Sequence, residues 1–325
     1  MPDWNRLQAG QFLVLGRAGM DLYPDPPGTP TAEASRFVSD LGGSAGNIAA
    51  ALVRAGSAAS LVSAVSNDAV GRFVLAALAR HGIGTVHVAV RGGGVRTSLA
   101  LAESRMEGHE TVIYRNGAAD FALDRADVVA LPFAPAAALV VTGTALAADP
   151  SRSATRAAMA AARAAGLPVI LDLDYRPYSW ADGGQAQGIM LEAAAAADMI
   201  VGNDEEFGVL AGSPAAGRDL ARGMGRDGRI AVYKMGAAGS VTFTDGAVIE
   251  TPVFPVTPLK PFGAGDAFLG NLLAALAGGQ PLDTALRRGS AAAAMVVATV
   301  GCAGAMPTPD TLDTFIARYP APQRS

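Results

Sequence analysis

The sequence predicts an α/β protein with a central, mostly parallel sheet, helices on both faces and a small β element that projects from it. Short apolar runs alternate with longer helical patterns along the 325 residues. Strands that alternate with helices need crossover connections, which produce a parallel sheet covered on both faces. A hairpin pattern near residues 95–116 interrupts the alternation and predicts the projecting element. We expect a single domain spanning residues 1–325.

The first part of the chain contains one long break, a loop rich in Gly and Pro that we expect to run from the end of the first strand through Pro30. Around it, apolar periodicity predicts the elements in this order: strand 12–15, helix 47–55, strand 60–65, helix 69–80 and hairpin strands 97–102 and 111–115.

The second part returns to regular alternation. The predicted elements are strand 139–142, helix 151–165, strand 168–172, helix 188–197, strand 199–201, helix 204–211, strand 230–234, a hairpin across residues 245–246, and helices 264–277 and 282–298. In an open α/β sheet, ligands bind outside the carboxyl ends of the strands. The loops that follow the strands are therefore where we look for a site.

The composition is unusually apolar, with 50% hydrophobic and only 17% charged residues, against about 25% charged in a typical soluble protein. The longest uncharged stretch, residues 128–148, is nominally long enough to span a bilayer. Pro132 and Pro135 would break a helix there, so we predict a loop, a buried strand and another loop. No membrane protein is indicated.

Cysteine usage and charge narrow the class further. The single cysteine, Cys302, excludes an internal disulfide and a cysteine-based zinc site. A net charge of −4 argues against nucleic acid as a partner. The first residues lack the basic-then-apolar layout of a signal peptide, so we expect a reduced, cytoplasmic protein.

The stretch Gly263-Ala264-Gly265-Asp266 carries the strongest chemical signal. Small residues at a helix start leave backbone N–H groups accessible, and the helix dipole favours an anion such as phosphate. An aspartate beside that position can accept a proton from an attacking hydroxyl. From the residues alone, an ordinary helix start with a first-turn acid explains the stretch equally well.

A second glycine pair, Gly42-Gly43, precedes a helix that carries Asn47. Glycines allow close approach of a polyol, and an amide can hydrogen-bond hydroxyls, although Asn47 as a simple helix cap remains open. Neither glycine loop fits the P-loop pattern, and no strand is followed by G-x-G-x-x-G. These absences disfavour a P-loop kinase and a dinucleotide-dependent oxidoreductase.

Taken together, these motifs resemble those of the ribokinase-like (PfkB) carbohydrate kinases. The resemblance extends from about residue 12 to residue 307 and rests on four motifs in the family's order and spacing: Gly42-Gly43 with Asn47, Asn203 with Glu206, Lys234 with Gly236 and Gly239, and Gly263-Ala264-Gly265-Asp266. Within the family, stretches 16–21, 114–120, 142–147, 172–178 and 305–307 are similar to the members that phosphorylate 5-dehydro-2-deoxy-D-gluconate, an intermediate of myo-inositol breakdown.

The resemblance implies a role for each matched residue. Asp266 would be the catalytic base, and Gly263, Ala264 and Gly265 would form an anion hole for the transferring phosphoryl group of ATP. Glu206 would help hold Mg²⁺ through water. The nucleotide-binding positions would be Asn203, Lys234, Gly236 and Gly239. The substrate-binding positions would be Asp21, Gly42, Gly43 and Asn47, with Arg115 and Arg176 to receive a carboxylate. Taken alone, Asn203 and Glu206 also fit an ordinary helix cap.

One departure and one accessory feature complete the expectation. Lys260 stands where many members carry an aspartate that helps bind an activating monovalent cation, which predicts activity independent of K⁺. Residues 17–40 and 90–120 match the family's lid, and paired lids would allow a homodimer. The alternatives are a kinase for 2-keto-3-deoxygluconate or for a neutral sugar such as fructose, or a non-catalytic sugar or nucleotide sensor. The three histidines match no catalytic position.

Overall fold

A nine-stranded sheet forms the centre of the part of the chain that the structure describes, which is residues 3–8, 10–180 and 182–319 of a computed structural model. In sheet order its strands are β13 (Ala247–Thr251), β12 (Ser240–Thr244), β11 (Ile230–Lys234), β10 (Met199–Asn203), β9 (Val169–Asp172), β8 (Ala138–Thr142), β1 (Phe12–Leu15), β4 (Ala59–Ser66) and β5 (Val88–Arg91). The strands from β11 to β5 are parallel, and β12 and β13 add an antiparallel edge. The predicted fold class is confirmed.

Helices cover both faces of this sheet. They are α1 (Ser44–Arg54), α2 (Ala69–Arg80), α3 (Arg125–Val129), α4 (Ser151–Ala164), α5 (Gly183–Ala195), α6 (Asp204–Ala211), α7 (Gly217–Met224), α8 (Ala264–Ala277), α9 (Leu282–Val297) and α10 (Pro309–Ala317). Side chains of β1 alternate between two cores, with Phe12 and Val14 against one layer of helices and Leu13 and Leu15 against the other. This period-two division explains why strands buried on both faces read as continuous apolar runs.

A second, four-stranded sheet lies beside the first. Its order is β3 (Phe37–Gly42), β2 (Gly19–Pro24), β6 (Leu99–Ala102) and β7 (Thr111–Tyr114). The pairs β2–β3 and β6–β7 are antiparallel, and β2–β6 is parallel. The hairpin of β6 and β7 follows the prediction, but the predicted loop through Pro30 is wrong because β2 forms within it. Gly19 and Pro24 bound that strand and concealed its short alternating pattern.

Strands β3 and β5 were likewise absent from the prediction. The remaining differences are at element boundaries and in short helices. Helix α5 begins at Gly183 rather than at residue 188, because the Asp182 side chain accepts hydrogen bonds from the backbone N–H groups of Gly184 and Gln185. Helices α3, α7 and α10 were absent from the prediction, and each has only five to nine residues. Such short segments carry too little periodicity to be distinguished from loops.

The uncharged stretch 128–148 has the structure that its prolines predict. Residues 138–142 form the buried strand β8, flanked by irregular segments and short turns. Among the described residues, no helix combines the length and the apolar character needed to cross a membrane.

Helices α1 and α8 pack at unusually close range, and this contact positions the amino ends of both helices. A Cβ atom added at Gly270 of α8 would overlap the Cβ of Ala51 in α1 and would lie 3.1 Å from the carbonyl oxygen of Ile48. Only a glycine allows the two backbones to come this close.

We therefore expect Gly270→Ala to lower the free energy of unfolding by about 1–3 kcal/mol, because the added methyl group overpacks a closed interface. Denaturant unfolding followed by circular dichroism measures this difference.

Gly223→Ala is the matched control, since Gly223 lies in α7 with no atom within 4 Å of an added Cβ. There the change should be neutral or stabilising, because alanine favours helix. Equal effects of the two substitutions would contradict the close-packing argument.

Candidate active site

A cavity of about 260 Å³ lies between the carboxyl ends of the central strands and the small sheet. Its walls come from the loops after β1, β8 and β9, from β2, β6 and β7, and from the first turns of α1 and α8. Seven of the residues predicted from the sequence line it: Asp21, Gly43, Asn47, Arg115, Arg176, Gly263 and Asp266. The topology therefore brings the two glycine loops to one place, as the position of ligand sites in α/β sheets predicts.

The start of α8 is built to leave backbone donors free. Gly263 precedes the helix with a φ of 84°, and no side chain caps it. A Cβ atom there would lie 2.8 Å from the sulfur of Cys302. The first N–H groups of a helix have no partner within it, so residues 264–266 present free donors and the positive end of the dipole beside the cavity.

Asp266 lies in the first turn of this helix, and its Oδ2 accepts a hydrogen bond of 2.8 Å from the side-chain amide of Asn47. Burial raises the pKa of Asp266 to about 7, and the negative charge of Asp174 adds to the rise. The hydrogen bond from Asn47 and the charges of Arg176 and Lys234 act in the opposite direction. A carboxyl that titrates near neutrality is suited to accept a proton at physiological pH.

Asp174 is a site residue that the sequence reasoning missed. Its Oδ2 accepts hydrogen bonds from the hydroxyls of Ser44 at 2.5 Å and Thr144 at 3.0 Å, and its Oδ1 lies 2.9 Å from a guanidinium nitrogen of Arg176. Its φ of 37° is rare for a residue other than glycine. Such backbone outliers cluster at functional sites, but no pattern in the sequence reveals one.

The glycines of the second loop make room for other parts of the site. A Cβ atom at Gly42 would overlap the carboxyl of Asp21, and Gly43, with a φ of 92°, lies against the backbone of Arg17. Asp21 accepts a hydrogen bond of 3.2 Å from the hydroxyl of Tyr23 through Oδ2. Its buried Oδ1 has no partner among the described residues, and neither has Oδ1 of Asn47. Both oxygens are therefore available as acceptors to a ligand that fills the cavity.

The two predicted arginines are already engaged with acids of the chain. Arg115 is buried with Asp120, which accepts bonds of 3.1 and 2.6 Å from its Nε and Nη2, and the guanidinium lies 4.2 Å from the centre of the Phe121 ring. Arg176 pairs with Asp174, and that charge raises the pKa of Arg176 above its usual value.

The residues predicted for the nucleotide lie just outside the cavity. Lys234 ends β11, and an added Cβ on Gly265 would come within 3.1 Å of its Nζ, so the ammonium lies against the start of α8. Asn203 and Glu206 form a capping box at the start of α6. In this box Oε2 of Glu206 accepts the backbone N–H of Asn203, and its Oε1 accepts the backbone N–H of Tyr175 at 3.1 Å.

The remaining two glycines of this group lie in the turn that joins β11 to β12. Gly236 has a φ of 53° and open space around an added Cβ, whereas a Cβ at Gly239 would overlap the carbonyl oxygen of Thr251. Ala264 and Gly265 form the first turn of α8 without lining the cavity. The loop of Gly236 therefore offers exposed backbone close to Lys234.

Lys260 is fully buried three residues before Gly263, where the glycine loop begins. Its Nζ donates a hydrogen bond of 2.7 Å to the carbonyl oxygen of Phe262 and lies 4.9 Å from the centre of that ring. Burial lowers the pKa of Lys260. The lysine thus holds the segment that leads into α8.

Sequence reasoning missed several other lining residues, among them Arg17, Ser44, Thr144, Tyr178, Phe262, Cys302 and His109. His109 is exposed at the turn between β6 and β7 and also borders the cavity. Only the folded hairpin brings this turn over the central sheet, so spacing in the sequence gave no indication of it.

Comparison with known proteins agrees with this arrangement. Residues 10–309 match the model of the pfkB family carbohydrate kinases. The chain belongs to this family. A relative named 5-dehydro-2-deoxygluconokinase, from Photobacterium profundum, is 38% identical over 310 residues, which are 94% of each chain.

Two solved structures share the fold and, like that relative, align over nearly the whole chain. The fructokinase of Xylella fastidiosa with bound ATP has a TM-score of 0.84 and 25% identity, covering 95% of this chain and 98% of its own. A double mutant of the fructokinase of Vibrio cholerae O395, bound to fructose, ADP and potassium ion, gives the same TM-score, identity and coverage. A sugar kinase is thus established as the class of this protein.

The electrostatic coupling of Asp266 to Asp174 can be measured without activity. In Asp174→Asn the neighbouring negative charge disappears and Arg176 loses its partner. Both changes make the ionised form of Asp266 more favourable relative to its protonated form. The pKa of Asp266, about 7 in the unaltered protein, should fall. A ¹³C NMR titration of aspartate carboxyl carbons, assigned with Asp266→Asn, follows it.

Asp219→Asn is the control for this titration, since Asp219 is exposed on α7. It should leave the midpoint of Asp266 unchanged. A midpoint that stays in place in Asp174→Asn, or that rises, would contradict the coupling.

Proposed function

We propose that the protein transfers the γ-phosphoryl group of ATP to the terminal hydroxyl of 5-dehydro-2-deoxy-D-gluconate. The observation that carries the proposal is the convergence, in one cavity, of a buried carboxyl that titrates near neutrality with three guanidinium groups, those of Arg17, Arg115 and Arg176. The carboxyl is suited to take a proton from a hydroxyl group that accepts the phosphoryl group. The guanidinium groups are suited to bind an acidic substrate. The relatives with this activity in their name support the same substrate.

Asp266 acts as the general base. Its carboxylate takes the proton of the terminal hydroxyl while the hydroxyl oxygen bonds to the γ-phosphorus and the bond to ADP breaks. Asn47 orients the carboxylate through its amide hydrogen bond. Because the pKa is near 7, the group is basic enough to accept a proton and still substantially ionised at neutral pH.

The backbone of Gly263, Ala264 and Gly265 receives the transferring phosphoryl group. Donors that are fixed in place before the reaction stabilise charge that develops in the transition state at no cost of reorganisation. Lys234, whose ammonium lies against Gly265, adds a positive charge for the nucleotide phosphates. Gly236 and Gly239 form the neighbouring nucleotide loop, and Asn203 completes it from the start of α6.

Mg²⁺ fits the acidic side of the site. Burial raises the pKa values of Asp172 and Glu206, and the charge of Asp174 adds to the rise in both. A divalent cation would relieve this excess of negative charge, and carboxylate oxygens are its preferred ligands. Both oxygens of Glu206 already accept backbone N–H groups, which favours contact through water. The bound ion would neutralise charge on the phosphates.

The substrate occupies the side of the cavity that the small sheet covers. Asp21 and Asn47 offer unpartnered oxygens to its hydroxyls, while Gly42 and Gly43 let the chain approach closely. Arg115 and Arg176 contribute donors to the wall, although Asp120 and Asp174 balance their charges.

We also propose that the described elements act as one domain, with residues 17–40 and 90–120 as a lid. Exclusion of water matters here because water competes with the sugar as phosphoryl acceptor. The exposed residues Val38, Val112 and Tyr114 on this sheet support a homodimer formed through the lid, since exposed apolar patches commonly mark interfaces.

Release of ADP with MgATP and a panel of sugars tests the function. We expect turnover with 5-dehydro-2-deoxygluconate, weaker turnover with 2-keto-3-deoxygluconate and the least with fructose. Asp266→Asn should lower kcat by about 100-fold or more, because general-base catalysis is lost. If fructose is the preferred substrate, the proposed acid is wrong and the protein is a kinase for a neutral sugar. If no sugar is turned over, the sensor alternative is favoured.

The buried Lys260 leads us to expect activity that does not depend on K⁺, although the fructokinase of Vibrio cholerae has been solved with bound potassium ion. The buried ammonium already supplies a positive charge beside the anion loop. Replacing K⁺ by choline should leave the rate unchanged. Lys260→Met should lower kcat by about tenfold or more, because the carbonyl of Phe262 loses its donor. A large loss of rate without K⁺ in the unaltered enzyme would overturn this.

A further inference from the structure

The three guanidinium groups of the cavity differ in how many hydrogen-bond donors and how much uncompensated charge remain for an acidic substrate. Arg115 directs its Nε and Nη2 to Asp120, and Nη2 also donates to the carbonyl oxygen of Thr144 at 3.2 Å. Its Nη1 faces the hydroxyl of Ser179 at 3.4 Å. The charge is compensated inside the protein and most of the donors are used, so Arg115 has little capacity for a second carboxylate.

Arg176 is compensated in a similar way. One terminal nitrogen lies 2.9 Å from Oδ1 of Asp174, and the other donates to the carbonyl oxygen of Tyr175 at 3.1 Å and approaches Glu206 at 3.9 Å. Its side chain is 44% exposed, so water screens what charge remains. A new anion here would have to compete with two acids of the chain.

Arg17 is the exception. It lines the cavity and is only 8% exposed, yet among the described residues no carboxylate oxygen lies within 4.0 Å of its guanidinium. Within the described part of the chain, its guanidinium makes one hydrogen bond, from Nη1 to the hydroxyl of Ser98 at 2.9 Å. A desolvated cation without an ion-pair partner is costly to bury, and that cost is recovered when an anion binds beside it.

The sequence builds a specific place for this side chain. A Cβ atom at Gly19 would lie 2.8 Å from Nη1 of Arg17 and 2.6 Å from the carbonyl oxygen of Ser98. The glycine therefore leaves the space that the guanidinium fills, and Ser98 fixes its orientation. Burial raises the pKa of nearby Asp21, and the charge of Arg17 acts in the opposite direction. Asp21 nevertheless lies beyond ion-pair distance of that guanidinium, and it accepts its hydrogen bond from Tyr23.

We propose that Arg17 is the residue that recognises the carboxylate of the substrate and so determines the preference for an acid over a neutral sugar. The guanidinium fork matches a carboxylate in two parallel hydrogen bonds, and Nε and Nη2 of Arg17 have no acceptor in the described residues. Arg17 and Asp266 line the same cavity. An open-chain acid held by its carboxylate at Arg17 can therefore present its other end to the base. This inference rests on the proposed function of the site.

The test compares an acid with a neutral sugar in Arg17→Gln. With 5-dehydro-2-deoxygluconate, kcat/KM should fall by about 100-fold or more, because a charge-assisted bidentate contact is lost. With fructose it should stay nearly constant. Calorimetric titration of the acid without ATP should show the same loss of affinity. Ser98→Ala keeps the charge but removes the orienting bond, and should cost about threefold to tenfold for the acid alone.

Arg156→Gln is the matched control, because it removes the same charge from an arginine that is 41% exposed on α4, outside the lid, where it pairs with Glu192. It should leave the kinetics of both substrates unchanged. Guanidinium ion added to Arg17→Ala should restore part of the activity with the acid and none with fructose.

Three results would overturn the inference. An equal loss for acid and fructose in Arg17→Gln would make the role structural. Normal use of the acid in Arg17→Gln, together with acid-specific loss in Arg115→Gln or Arg176→Gln, would move the carboxylate elsewhere and leave the proposed function intact. If the unaltered enzyme phosphorylates fructose and no acid, the proposed substrate and the inference fail together.

Discussion

The balance of charge around Asp266 is the constraint on which the site depends. A carboxyl this deeply buried would stay protonated and inert if burial acted alone, and fully ionised if the surrounding cations dominated. The charge of Asp174 opposes ionisation, whereas Asn47, Lys234 and Arg176 favour it. Lys234 ends β11, Asp174 and Arg176 follow β9, and Asn47 comes from α1. The parallel sheet and the helix packed on it therefore fix the mutual distances of these groups.

The frame in turn depends on close contact between backbones. Helices α1 and α8 carry the two glycine loops at their amino ends, and Gly270 lets these helices approach at the level of Ala51. The bond from Asn47 to Asp266 spans the same pair of helices. Packing about one helical turn away therefore determines whether the amide reaches the carboxylate, which connects the stability of the core to the geometry of the site.

Much of this was accessible from the sequence, for identifiable reasons. The strand–helix alternation and the Gly263–Asp266 motif are local patterns, and they located the sheet, the long helices and a carboxyl that lines the cavity. Asp174 and Arg17 were not assigned, because their importance comes from a backbone outlier and from the absence of a partner. Strand β2 was missed because Gly19, which makes room for Arg17, looks like a loop residue in isolation.

The empty volumes beside these glycines have a consequence for altering substrate range. The space that a Cβ would take at Gly42 belongs to the carboxyl of Asp21, and the space at Gly19 is shared with the guanidinium of Arg17. A larger residue at either glycine displaces a side chain that lines the cavity, and a smaller side chain at position 21 or 17 leaves an unfilled space. A change of substrate range on this scaffold therefore requires two substitutions together, one at the glycine and one at the side chain beside it. Either substitution alone is expected to lower activity.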